Sequence, residues 1–265
     1  MSRIAESFGV LAGRRAAYIA YATAGFPDGE TSLDIMRSML AEADMLEIGV
    51  PFSDPTMDGP VIQETSRRAL EAGTSLAGVL RMVERLRSGT EKPLLIMSYF
   101  NPIHSFGLRD FSAAAADAGA DGIILPDLPL EEFEPWRLEA VRAGLDTVLF
   151  VAMTSSPQRM RASGALASGF IYALATMGTT GLRDSLSERL EPFLRLAMRE
   201  TGLPVAAGVG ISNASQCREV GKVADGVIVG TALMHAALRA VDEGDDPGKA
   251  IRDIIAPMIS TLDES

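Results

Sequence analysis

The sequence is poor in the residues that build metal centres, disulfides and membrane anchors. One cysteine, Cys217, stands alone in 265 residues, so neither an internal disulfide nor a multi-cysteine metal site can form. The two histidines, His104 and His235, lie far apart and make no HxxxH or HxH pattern, which argues against a His-based metal centre. No apolar run approaches the roughly 20 residues that cross a bilayer. The start, MSRIAESFGVLAG, reads as a short amphipathic helix rather than a charged, apolar, cleavable leader, and the expected compartment is a reducing cytoplasm. Cations are also scarce: 24 Lys and Arg face 35 Asp and Glu, a net charge of −11. That balance argues against non-specific nucleic-acid binding and against an anionic membrane surface. A small anionic substrate stays compatible, because backbone amides and a helix N-terminus hold phosphate without cationic side chains.

What is present is an alternation of strands and helices. After an amphipathic helix over 3–12, short apolar runs predict strands at 18–23, 45–50, 94–98, 122–126, 147–151, 170–174, 204–207 and 226–229. Amphipathic segments lie between them, at 33–43, 61–71, 76–86, 111–118, 133–143, 157–163, 186–201, 214–220 and 232–240, with a last helix over 247–262. Such alternation implies βαβ units and a parallel sheet. Eight units in a chain of 47% hydrophobic residues fit a single (β/α)8 TIM barrel with an extra N-terminal helix, one domain over 1–265. Asp121 and Asp225 each precede a strand (ADGIIL, ADGVIV), a weak internal echo of one unit.

The most informative stretch is MLEIGVPFSDPTMDGP, 45–60. Side chains alternate along a strand, so Glu47 shares a face with Met45 and Gly49 while Leu46, Ile48 and Val50 form an aliphatic face. Pro51 ends the strand, since it has no N–H to donate. The turn residues beyond carry Asp54 and Asp58. Two readings stand for Glu47: a structural carboxylate hydrogen-bonded inside the sheet, or half of an acid–base pair with Asp58 whose surroundings separate their pKa values. Asp54 and Asp58 also read as turn-formers.

In a barrel of this kind the chemistry sits at the carboxyl ends of the strands, with phosphate after the seventh and eighth. Polar and glycine-rich residues gather at those ends: Tyr99 to Pro102, Asp127 to Pro129, Met177 to Gly181, Gly208 to Ser212, Gly230 and Thr231. Glycines 181, 208, 210 and 230 read as a phosphate cradle. Asn101 and Asp127 read as loop braces, His104 as a surface residue, Trp136 as packing. No lysine falls at a strand end, which argues against an imine-forming aldolase: Lys92 precedes the third strand and Lys222 the eighth.

With those residues in place, the chain resembles the tryptophan synthase α-subunit family from end to end. LEIGVPFSDPTMDGP carries the resemblance most specifically, supported in order by GIILPDLPLEE, FIYALATMGTTG, GVGIS and ADGVIVGT. The resemblance implies retro-aldol cleavage of indole-3-glycerol phosphate to indole and glyceraldehyde-3-phosphate. It also implies a β subunit in an α2β2 assembly, which receives the indole through a tunnel and carries pyridoxal phosphate; no cofactor is expected in this chain. By position, Glu47 is the general acid/base and Asp58 stabilises charge at the indole N–H. Tyr172 lines the pocket, and Thr180 closes over the substrate and contacts Asp58. Phosphate falls to Gly181, Gly210, Gly230 and Thr231, and the indole wall to Tyr21, Met97, Ile124 and Val151. The chain departs from the family at Thr56-Met57, Met177, Val209 and Thr231. The first two sites lie in loops that signal to the β subunit, so they bear on coupling more than on chemistry. Three other readings compete: a barrel that mainly activates its partner, a free-standing indole-releasing lyase, and another phosphate-binding barrel enzyme.

Overall fold

A computed structural model of the chain describes residues 1–174, 189–208 and 210–264. Helix α1 (Arg3–Leu11) comes first, capped by the Ser2 hydroxyl, which accepts the Ala5 N–H. The units that follow are β1 (Ala17–Thr23) with α2 (Gly29–Glu42), then β2 (Met45–Gly49) with α3 (Pro60–Glu71) and α4 (Leu76–Arg87). Next come β3 (Leu94–Met97) with α5 (Phe100–Phe106) and α6 (Leu108–Asp117), and β4 (Gly122–Ile124) with α7 (Glu134–Ala143). β5 (Asp146–Ala152) leads to α8 (Pro157–Leu166), and β6 (Ile171–Leu174) precedes α9 (Leu190–Thr201). The circuit ends with β7 (Val205–Gly208), α10 (Ala214–Gly221), β8 (Gly226–Val229), α11 (Thr231–Glu243) and α12 (Pro247–Asp263). The strands pair in parallel and in sequence order, and β8 returns to β1, closing an eight-stranded barrel.

The expected strands are present, with ends that move by a residue or two. Two helical features were not legible. Helix α2 starts at Gly29 because Asp28 caps it, accepting the Glu30 and Thr31 N–H groups at 3.0 Å. Helix α5 forms where the sequence reads as loop. Pro102 sits in its first turn, where a missing N–H costs nothing, and the Asp127 carboxylate from the loop after β4 accepts the Phe100 N–H at 2.9 Å.

Period-two alternation sorts every strand into two faces. Ile19, Met45, Leu95, Val148, Phe170 and Ile228 fill the barrel interior, whereas Leu46, Ile48, Ile96, Ile123 and Val229 pack outward under the helices. Helix α1 closes the floor. Its buried Ile4 and Phe8 join the interior cluster, and the Phe8 ring lies 5.6 Å from that of Phe170. Asp121 and Asp225, noted before strands, share one role with Asp44, which precedes β2. Asp44 accepts the Tyr18 N–H at 2.7 Å, Asp121 the Leu94 N–H at 2.8 Å and Asp225 the Val205 N–H at 2.9 Å. In each case the residue ahead of one strand satisfies an amide at the start of the strand beside it.

Candidate active site

Glu47 points into the barrel from the middle of β2, opposite Tyr21 on one neighbour and Leu95 on the other. It is 1% exposed, and neither carboxylate oxygen has a hydrogen-bond partner among the described residues. Burial, and secondarily the charge of Asp58, pushes its pKa up to about 8. The group is therefore protonated at neutral pH, the form that burial without a partner favours. A structural carboxylate would be satisfied by the fold. Among the described residues this one is not, an arrangement that favours the acid–base reading of Glu47 over the structural one.

Asp58 lies above it in the loop from β2 to α3. The loop turns through the Thr56 N–H, which donates to the Asp54 carbonyl at 2.9 Å, and the Asp58 N–H, which donates to the Pro55 carbonyl at 3.1 Å. Partial burial raises the Asp58 pKa, while a hydrogen bond from the Tyr99 hydroxyl at 3.2 Å opposes the rise.

The two carboxylates line a cavity of about 210 Å³ at the carboxyl ends of the strands. Tyr21 and Tyr172 both form part of its wall, and each lies across a glycine of the next strand. A Cβ on Gly49 would sit 2.1 Å from the Tyr21 hydroxyl oxygen, and one on Gly208 would sit 2.5 Å from the Tyr172 ring. Gly208, read from the sequence as part of a phosphate cradle, is thus required by Tyr172. Burial raises both phenol pKa values, so both hydroxyls are neutral. At the far side the cavity meets Gly210, with φ +71°, then Gly230 and Thr231. Thr231 opens α11, whose first amides receive no side-chain cap. Uncapped amides beside a left-handed glycine are an arrangement that accepts an oxyanion.

Of the residues picked out by sequence, Glu47, Asp58, Tyr21, Met97, Tyr172, Gly210, Gly230 and Thr231 all border this cavity. Ile124 lies inside the barrel, fully buried in the interior packing, but not on the cavity wall. Val151 requires correction. It packs outward in the cluster beneath the helices, and its neighbour Phe150 takes the wall, its ring 4.8 Å from that of Tyr172. Thr180 and Gly181, with Met177 and Val209, lie outside the described residues. Sequence reading gave no pocket role to Leu174, Ile211, Ile62 and Met57, which join Pro126 and Ile228 in the apolar lining. For Leu174 the signal was available, since it sits two residues after Tyr172 on the same face. His104 is exposed against the Phe100 ring, Trp136 is buried in α7, and Asp127 braces α5. Among the described residues no group of three His, Cys, Asp or Glu could hold a metal ion, and no helix is long and apolar enough to cross a membrane.

A larger cavity, about 850 Å³, opens on the barrel floor beside α1. Size does not locate the chemistry here. The floor carries the strand starts, where Asp225 is engaged with the Val205 N–H, whereas barrel enzymes react at the opposite end. The fold is that of a (β/α)8 barrel, with a cavity lined by two carboxyl groups at the carboxyl ends of its strands.

Comparison with known proteins narrows that class. The family model described as tryptophan synthase alpha chain matches residues 9–255. The tryptophan synthase alpha chain of Thermobifida fusca is 44% identical over 248 residues, 92% of this chain and 91% of that one. That of Carboxydothermus hydrogenoformans is 42% identical over 264 residues, 99% and 98% of the two chains. The crystal structure of tryptophan synthase subunit alpha from Legionella pneumophila superposes with a TM-score of 0.93 at 34% identity, covering 100% of both chains. The chain belongs to the tryptophan synthase alpha chain family. Its reaction is the cleavage of indole-3-glycerol phosphate to indole and glyceraldehyde-3-phosphate, a carbon–carbon lyase step that supplies tryptophan biosynthesis. The family implies a β-subunit partner, and pyridoxal phosphate belongs to that subunit.

Proposed function

We propose that Glu47 and Asp58 carry out this cleavage between them. The observation that supports it is the buried Glu47 carboxyl, unpartnered, opening on a cavity that a second carboxyl enters from above. Glu47, protonated at rest, gives its proton to C3 of the indole ring. Asp58, ionised, stabilises the positive charge that develops at the ring N–H. The Glu47 carboxylate then takes the proton of the glycerol hydroxyl next to the ring. The bond from C3 to the side chain breaks, the hydroxyl carbon becomes the aldehyde of glyceraldehyde-3-phosphate, and the electron pair returns to the ring as indole. One carboxyl thus gives and recovers one proton per turnover, and a pKa raised to about 8 suits the first of these steps.

Tyr172, Tyr21, Met97 and Phe150 hold the ring in this reading, with Ile124 supporting them from within the barrel. Gly210, Gly230 and Thr231 take the phosphate through backbone amides, joined by Gly181, and Thr180 closes the site against water. The working assembly is an α2β2 heterotetramer in the cytoplasm, with no cofactor in this chain and its 1–265 acting as one domain.

Glu47→Gln tests the core of the proposal. Indole release should fall by at least about 10³-fold, because the proton donor is lost, while circular dichroism and the thermal melt stay those of a folded barrel. Substantial turnover in a folded variant would sink the assignment. In the parent, kcat/KM should decline as pH rises through about 8, where Glu47 loses its proton.

A further inference from the structure

The loop between β2 and α3 has to hold Asp58 at a fixed height over Glu47. Its own turn bonds give it shape but do not fasten it to the barrel. Gln63 ties it to α3, donating to the Asp58 carbonyl at 2.9 Å. The tie to the barrel rim comes from Tyr99, which with Ser98 links β3 to α5. Its hydroxyl accepts the Met57 N–H at 2.9 Å and donates to Asp58 Oδ2 at 3.2 Å. The same ring stacks on Phe52 near the start of the loop, with centroids 5.1 Å apart and planes 29° apart. One side chain therefore grips both ends of the loop.

We propose that Tyr99 is the positioning residue for Asp58, holding its carboxylate over the cavity through a hydroxyl that a packing role alone would not require. This rests on the reading of Asp58 given above. A phenol has one proton. With the hydroxyl oxygen occupied by the Met57 amide, that proton is directed at the Asp58 carboxylate, and a hydrogen bond to a charged acceptor is among the stronger kinds. A phenylalanine would stack on Phe52 equally well, so the hydroxyl is the part that stacking leaves unexplained.

Tyr99 is itself held in place. It is 5% exposed, the Ser98 hydroxyl donates to its carbonyl at 2.9 Å, and the next amide, Phe100 N–H, is bound by Asp127. The placement of Asp58 thus runs back through Tyr99 to the rim of β3 and the loop after β4. Among the described residues, the titratable groups facing Asp58 are Glu47 on β2, Tyr21 on β1, Tyr172 on β6 and Tyr99 itself. Of these, Tyr99 is the one that hydrogen-bonds to it.

The test is Tyr99→Phe, assayed for indole-3-glycerol phosphate cleavage as the full chain, alone and with its β subunit, across pH. Loss of a hydrogen bond to a charged group should lower kcat/KM about tenfold. The acid limb of the profile should move to higher pH, because the ionised form of Asp58 loses a donor. The melting temperature should stay near the parent's, since the ring still stacks. Phe52→Leu, which loosens the stack and keeps the hydroxyl, should leave the acid limb in place. Asp58→Asn separates the two ideas. If that variant retains the parent's acid limb, the reading of Asp58 fails and the proposal with it. If it abolishes the limb while Tyr99→Phe leaves the limb where it was, with or without a loss of rate, the positioning role is overturned.

Discussion

Glu47, a buried carboxyl with no partner among the described residues, works against the stability of the fold as pH rises. In an unfolded chain its carboxyl titrates near 4.5; inside the barrel it titrates near 8. Between those values the folded state binds the extra proton, so stability declines as pH rises through the interval. Glu47→Gln removes that dependence while keeping the shape of the side chain. The variant should be more stable than the parent at pH 8 by about 2–4 kcal/mol, with a smaller difference near pH 5. Urea unfolding at the two pH values measures this, and parallel stability profiles would contradict the raised pKa. At this scale the sequence was readable where one carboxylate interrupted an apolar run. It was not readable at β5, where TVLFVA is apolar on both faces and gives no sign that Phe150, rather than Val151, looks inward.

At the level of elements, the recurring device is the aspartate that satisfies an amide of the adjacent strand. Asp121 is the most heavily engaged example. Besides the Leu94 N–H it binds Arg87 at 2.5 Å and Arg3 at 3.1 Å, and it is 8% exposed. Asp121→Ala would leave a buried amide unpaired and a largely buried guanidinium without its carboxylate. The expected loss is about 3 kcal/mol, measured by urea unfolding. Cleavage activity below the transition should change little, because the residue lies at the opposite end of the barrel from the cavity. A loss within about 0.5 kcal/mol would mean that water replaces these bonds at little cost. The sequence did show that Asp121 and Asp225 solve the same problem. It did not show what the problem was, because the amide each one binds lies about twenty or more residues away, in the preceding strand.

Considered as a whole molecule, the barrel has two ends with different duties. The carboxyl ends of the strands hold the cavity lined by Glu47 and Asp58, and α1 packs against the floor. Phe8 packs beside Phe170 within the interior cluster, at 6% exposure. Phe8→Ala should cost about 3–4 kcal/mol by opening a cavity under the barrel, while KM and kcat for cleavage stay within about twofold well below the melting temperature. A large fall in kcat with an unchanged melting temperature would show that the floor and the rim are not independent.

Some features of this protein were determined by the sequence alone. Alternating apolar periods dictate eight strands and their helices, because a strand and a helix bury their faces at different spacings. A carboxylate inside an apolar strand, with a second in the turn just beyond it, marks the two groups proposed as the acid–base pair. Glycines at the last strand ends mark where an anion can approach backbone. Other features were decided only by the tertiary structure. Closure of the barrel brings Tyr21 across Gly49 and Tyr172 across Gly208, brings Asp127 to the first amide of α5, and brings Tyr99 to Asp58. Each of these depends on a distance between residues on different strands or loops. Such distances arise from the stagger and curvature of the closed sheet, which no local pattern of residues encodes.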